Sequence, residues 1–224
     1  IETFMQACRL RILDCTKRGF QRFHQLGNGT KVEHLSVVYI EGVKQGGTKA
    51  WEQLWRQYML SASPSDKHSI LFALTQTEDI TLLTRLMKHC LDGKVRPNLI
   101  PRVFASMAST EIARDTAWRF FKKNVKEFKQ IMGSGSTLLS TSLRCLAEPL
   151  SNRKDLNELK QFLRTESLEE EGQMKMEQTY EQIEINIQWK DLNEEKVGEW
   201  LSHWDERRRK LYRKKRHRHH NHNN

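Results

Sequence analysis

Residues 112–129 read Ile-Ala-Arg-Asp-Thr-Ala-Trp-Arg-Phe-Phe-Lys-Lys-Asn-Val-Lys-Glu-Phe-Lys. Ala117, Phe120, Phe121, Asn124, Val125 and Phe128 recur at steps of three and four, so they line one face of a helix with 3.6 residues per turn. Asp115 falls in the first turn and Lys122, Lys123 and Lys126 come later, the order a helix dipole favours. The spacing predicts one amphipathic helix over 112–130, in a packed α protein.

Outward from this helix the same pattern repeats with little strand signal. Helices are expected over 2–13, 15–27, 32–45, 47–61, 64–76, 79–92, 101–109, 136–147, 153–166, 171–190 and 194–214. Ser63 before Pro64, with Asp66 two residues on, reads as an N-cap, a first-turn proline and a first-turn acid. Gly93 after Leu91-Asp92 reads as a helix C-terminal residue. Asp191, three before Glu194, resembles a capping box and divides the last two helices. The β-branched run Leu35–Ile40 is kept helical because it leads into a Gly46-Gly47 stop between helical neighbours. Ala50-Trp51 and Ala117-Trp118 both place bulky apolar groups one turn on, an echo consistent with two helical-hairpin units. The expected fold is all-α: a superhelical stack of antiparallel helix pairs, like HEAT or armadillo repeats, with a concave face.

The chain has 224 residues, 37% of them hydrophobic, with six Trp and nine Phe, which argues against disorder. It opens at Ile1 in mid-pattern and reads as a fragment or processed product. The net charge of +10 is unevenly placed. Nine Lys or Arg and no acid lie between Arg207 and Arg218, so the body is nearly neutral, against a nucleic-acid role for the fold itself. The organisation expected is a helical domain over 1–206 and a basic, His-rich, disordered tail over 207–224. That tail could be drawn to an anionic membrane or polyanion. No apolar run reaches the length of a membrane span. Asn28-Gly29-Thr30 is a glycosylation acceptor pattern, making Asn28 a candidate site.

Chemistry is the poorest part of the sequence. A helical zinc site would use His-Glu-x-x-His, two imidazoles one turn apart. His24, His34, His68, His89 and His203 make no such pair. No phosphate-binding glycine loop follows a strand, and no nucleophile elbow is present. We therefore assign no catalytic, cofactor-binding or metal-binding residue. Cys8 and Cys15 would stand about 10 Å apart along an unbroken helix, too far for a bridge. A disulfide needs the chain to turn between them, which Asp14 could permit by capping a new helix at Cys15. Spacing alone leaves open two buried thiols on one continuous helix.

The 112–129 helix, together with Asn-Ile-Gln-Trp-Lys-Asp-Leu-Asn-Glu-Glu-Lys-Val-Gly-Glu-Trp-Leu over 186–201, resembles the C-terminal helical domain of the zinc aminopeptidases. The resemblance is to the endoplasmic-reticulum-aminopeptidase and aminopeptidase-N-like group and covers roughly residues 5–202. Ala117, Trp118, Phe120, Asn124, Asn186, Trp189 and Trp200 match the family pattern, and we assign them structural roles in core packing. The resemblance implies a disulfide between Cys8 and Cys15. The second disulfide of ectoenzyme members is absent, because Ile40 and Thr75 stand where cysteines would be needed. Cys90 and Cys145 are then expected to be reduced.

By this resemblance the domain closes over a catalytic domain that binds zinc, forms much of a peptide chamber, and gates access to it. The implied partners are a peptide substrate and the catalytic domain of the same enzyme, on the extracellular or lumenal side of a membrane. The zinc ligands and general base belong to domains not in this chain, which alone should be inactive. The alternative is a stand-alone helical-repeat interaction module whose basic tail binds polyanions.

Overall fold

The computed structural model describes residues 6–8, 10–26, 34–133, 136–168 and 173–220, with side chains of the last helix described for 176–204. Asn28 lies outside the described residues. Every regular element among them is helical. In chain order these are α1 (Leu13–His24), α2 (Leu35–Leu60), α3 (Pro64–Leu74), α4 (Ile80–Leu91), a 3-10 turn (Pro97–Leu99), α5 (Ile100–Met107), α6 (Glu111–Lys123), α7 (Val125–Met132), α8 (Thr137–Ala147), α9 (Arg153–Thr165) and α10 (Gln173–His220).

Short polar residues place the boundaries. Ser63 Oγ accepts from the Asp66 amide at 3.3 Å, with Pro64 opening α3. Asp79, Ser136 and Asn152 cap α4, α8 and α9 in the same way. Gly93 ends the α4 segment with φ +70°, a conformation glycine adopts without steric cost. Gly47 (φ 57°, ψ −145°) bends α2 into two helical arms, so the helical reading of 35–40 and the stop at 46–47 both hold.

Three expectations are corrected. The helix expected over 112–130 is broken at Asn124 (φ −122°, ψ 30°) into α6 and α7. There the Asn124 Nδ2 donates to the Phe120 carbonyl at 2.7 Å, a local bond that competes with helix continuation. The division expected near Asp191 is not made: α10 runs through it, with Asn193 Nδ2 donating to the Trp189 carbonyl and Lys190 pairing with Glu194 one turn on. Nothing between Gln188 and Glu206 is a proline, and Gln, Lys, Glu, Leu and Trp are serviceable helix formers. α10 continues to His220.

The third correction concerns the first helix. Asp14 does not cap a helix at Cys15; α1 begins at Leu13, with Ile12 at the N-cap, and Asp14 pairs with Arg18. The turn is made earlier, by Arg11 in the left-handed region (φ 54°). Cys8 and Cys15 are bridged, with Cα atoms 5.2 Å apart. They pack with Val37 in a small apolar cluster that ties the N-terminal turn to α2. Cys90 and Cys145 are free thiols. Burial pushes the Cys90 thiol up to about 12.

Packing runs mostly between sequence neighbours and next-but-one neighbours. α1 packs on α2 and α2 on α3; then α3 meets α5, α5 meets α8, and α8 meets α10. On the other side α4 meets α6 and α7. One continuous core from Phe23 to Ile187 fills the space between them. Phe104, Phe121 and Phe128 form its aromatic centre, with ring centroids 5.3–5.8 Å apart. Phe121 and Phe128 thus reach one core from both sides of the Asn124 break.

Candidate functional site: a charged cleft between α6 and α9

The echoed tryptophans each bind a later element. Trp51 is fully buried and its Nε1–H donates to the Leu74 carbonyl at 3.1 Å, holding the end of α3 against α2. Trp118 Nε1–H donates to Glu158 Oε1 at 3.2 Å, holding α9 beside α6. The Trp118 ring lies edge-on to Phe162 of α9, with centroids 5.2 Å apart, and carries the Lys122 ammonium 5.2 Å above it. Lys122 also pairs with the same Glu158 carboxylate.

These contacts build one wall of an open cleft of about 630 Å³. α6 supplies Glu111, Arg114, Asp115, Trp118, Arg119 and Lys122; α9 supplies Asp155, Glu158 and Leu159. The end of α8, the connector through Asn152 and Lys190 of α10 complete it. The lining carries four acids and four bases, so the cleft has opposed charges rather than one sign. The Lys122 ammonium, and then the Trp118 N–H, hold the Glu158 carboxyl below the usual carboxylate range, so it stays anionic. Arg114 Nε is buried without a hydrogen-bond partner, its carboxylate neighbour Asp115 lying 3.9 Å away. Such a surface suits a zwitterionic or dipolar ligand better than a polyanion. A second, mainly apolar hollow of about 480 Å³ lies between α2, α3 and α5, with His68 and Arg102 at its edge.

The residues singled out from the sequence divide. Ala117 is buried beneath the cleft, Phe120 is half-buried against the core, and Asn124 shapes the α6–α7 break. Asn186 Nδ2 donates to the carbonyls of Glu148 and Leu150 at 2.8 and 2.9 Å, fastening α10 to the end of α8. Trp189 and Trp200 do not pack in the core: they are 59% and 58% exposed on α10. Glu158 and Arg114 were not singled out, and Lys122 was read only for its place on the helix dipole, since only the approach of α9 to α6 gives the three a common site. Among the described residues, no group of three or more His, Cys, Asp or Glu is placed to hold a metal ion. No described helix is long and apolar enough to cross a membrane.

The fold and the site together define an all-α domain with an open cleft of mixed charge. Residues 1–185 match the family described as the ERAP1-like C-terminal domain, and the chain belongs to that family. It is 29% identical over 208 residues to endoplasmic reticulum aminopeptidase 1 of Homo sapiens, covering 89% of this chain and 22% of that protein. It is 26% identical over 170 residues to aminopeptidase N of Canis lupus familiaris, covering 74% and 17%. The thyrotropin-releasing hormone-degrading ectoenzyme of Rattus norvegicus is 29% identical over 167 residues, covering 74% and 15%. The chain thus spans only 15–22% of the length of these relatives.

Proposed function

We propose that this chain is the accessory helical domain of a zinc-dependent aminopeptidase, forming wall and lid of the chamber in which peptides lose their N-terminal residues. The match of residues 1–185 to the ERAP1-like C-terminal domain carries the reading. The helix pairs stack into a curved superhelix, and the 1–206 body closes on a catalytic domain supplied by the same protein. That domain holds the zinc and supplies the activated water; this chain's residues bind and position. In the α6–α9 cleft, Arg114, Arg119 and Lys122 meet peptide carbonyl or carboxylate oxygens, and Asp115, Asp155 and Glu158 meet amide or ammonium groups. Ala117, Phe120, Asn124 and Asn186 keep the cleft in shape. The setting is the extracellular or lumenal side of a membrane, where the Cys8–Cys15 bridge persists and where the acceptor pattern at Asn28 has a glycosylation machinery to use it.

Mixing separately expressed chain and catalytic half tests this. Peptide trimming should appear only in the mixture, and Arg114→Ala with Arg119→Ala should raise KM for long peptides more than it lowers kcat. Zinc-dependent hydrolysis by the isolated chain, or a catalytic half fully active without it, would overturn the proposal.

A further inference from the structure

Helix α10 is anchored to the body by Met176, Thr179, Ile183 and Ile187, all buried, and by the Asn186 bonds to the α8 end. Beyond Ile187 no described residue is buried, although the helix runs on to His220. At 1.5 Å per residue the part beyond the body is about 50 Å long. Its surface is sharply divided. Ile185, Trp189, Leu192, Val197, Trp200 and Leu201 are each more than 40% exposed. At 3.6 residues per turn they share one half of the cylinder, where the charged residues are Lys190 and Lys196. Asp191, Glu194, Glu195 and Glu199 occupy the opposite half. The nine cations from Arg207 to Arg218, with no acid among them, follow on the same helix.

We infer that this face of α10, together with the basic stretch that continues it, docks on an anionic lipid surface. Tryptophan favours the boundary between headgroups and acyl chains, where its ring is buried and its N–H stays wet. Lysine at the margin of such a face extends its ammonium to the phosphates. Segregation of the four acids to the far half turns them away from like charge. Charge also argues against a second copy of the chain as the occupant. A parallel pair would lay the nine cations beside nine others. An antiparallel pair centred on the apolar face would set them against the stretch before Ile183, which is packed into the body. An anionic bilayer complements both the apolar half and the cations.

The inference does not rest on the aminopeptidase reading and is tested separately from it. The full 224-residue chain is mixed with vesicles of phosphatidylcholine alone and with vesicles that also contain phosphatidylserine, following co-sedimentation and tryptophan emission. Binding with a blue shift is expected on the serine-containing vesicles only. Raising salt from about 0.05 to about 0.5 M should weaken it about tenfold or more, as should deletion of 207–224. Trp189→Glu with Trp200→Glu should abolish the blue shift and weaken binding, without altering the helical circular dichroism or the melting temperature. Equal binding to both vesicle types overturns the inference, as does full binding by the double variant. So does an oligomer, detected by light scattering, whose tryptophan emission is already blue-shifted and does not respond to vesicles.

Discussion

Asn186 illustrates how one side chain joins two elements. Its amide closes off carbonyls at the end of α8, so Asn186→Ala leaves them without those donors and should cost about 1–3 kcal/mol, read as a lower urea midpoint at unchanged m-value. His89 makes a pH-dependent contribution of definite sign. It is buried, its ring stacked 4.2 Å from that of Trp55, with Nε2 lacking a partner. Burial, then Lys94 and Arg85, lower its pKa below 6.5, outweighing Asp92 and Glu52. As pH falls through 6.5 the unfolded chain takes up the proton first, so this stability is present above 6.5 and is lost towards the folded value. The melting temperature should therefore fall more steeply between about pH 7 and pH 5 in the wild type than in His89→Phe. The sequence contains both His89 and Trp55 but not their stacking, because the two lie on different helices.

At the scale of elements, the close approach of α1 to α2 depends on missing side-chain volume. A Cβ on Gly42 would stand 2.1 Å from the Phe23 ring, and Phe23 is itself buried. Gly42→Ala should cost about 2–3 kcal/mol, measured by thermal unfolding, and Phe23→Leu in the same chain should recover part of the loss. Helix positions and caps were largely legible in advance, since the 3.6-residue period and residues such as Ser63, Pro64 and Gly93 act locally. The breaks were less so. Asn124 stops a helix whose apolar stripe runs straight through it, because the side-chain bond to Phe120 and the packing of Phe128 decide the bend. Asp191 carries a cap signal that α10 does not use, because nothing turns the chain back there.

Across the whole molecule, one core cluster joins α1 through Ile187, while the rest of α10 has no buried side chain among its described residues. Native-state hydrogen exchange should divide α10 accordingly. Amides over 176–187 should exchange with the protection of the core, and those beyond Lys190 should exchange orders of magnitude faster in the absence of lipid. Uniform protection along α10 would show that its far part is covered in solution. The cleft belongs to this scale as well. Trp118 was legible as part of a motif, but Glu158 stands 40 residues away and no spacing rule connects them.

By itself the sequence determined the helical class, most helix starts and stops, and the likeness to aminopeptidase C-terminal domains. Each of these follows from neighbours within a turn or two, or from residues matched one by one. Only the tertiary structure decided which charges share the α6–α9 cleft, where the chain turns to bring Cys8 to Cys15, and that Trp189 and Trp200 face outward. Those outcomes depend on helices distant in sequence competing for the same space, and local periodicity carries no record of which helix arrives.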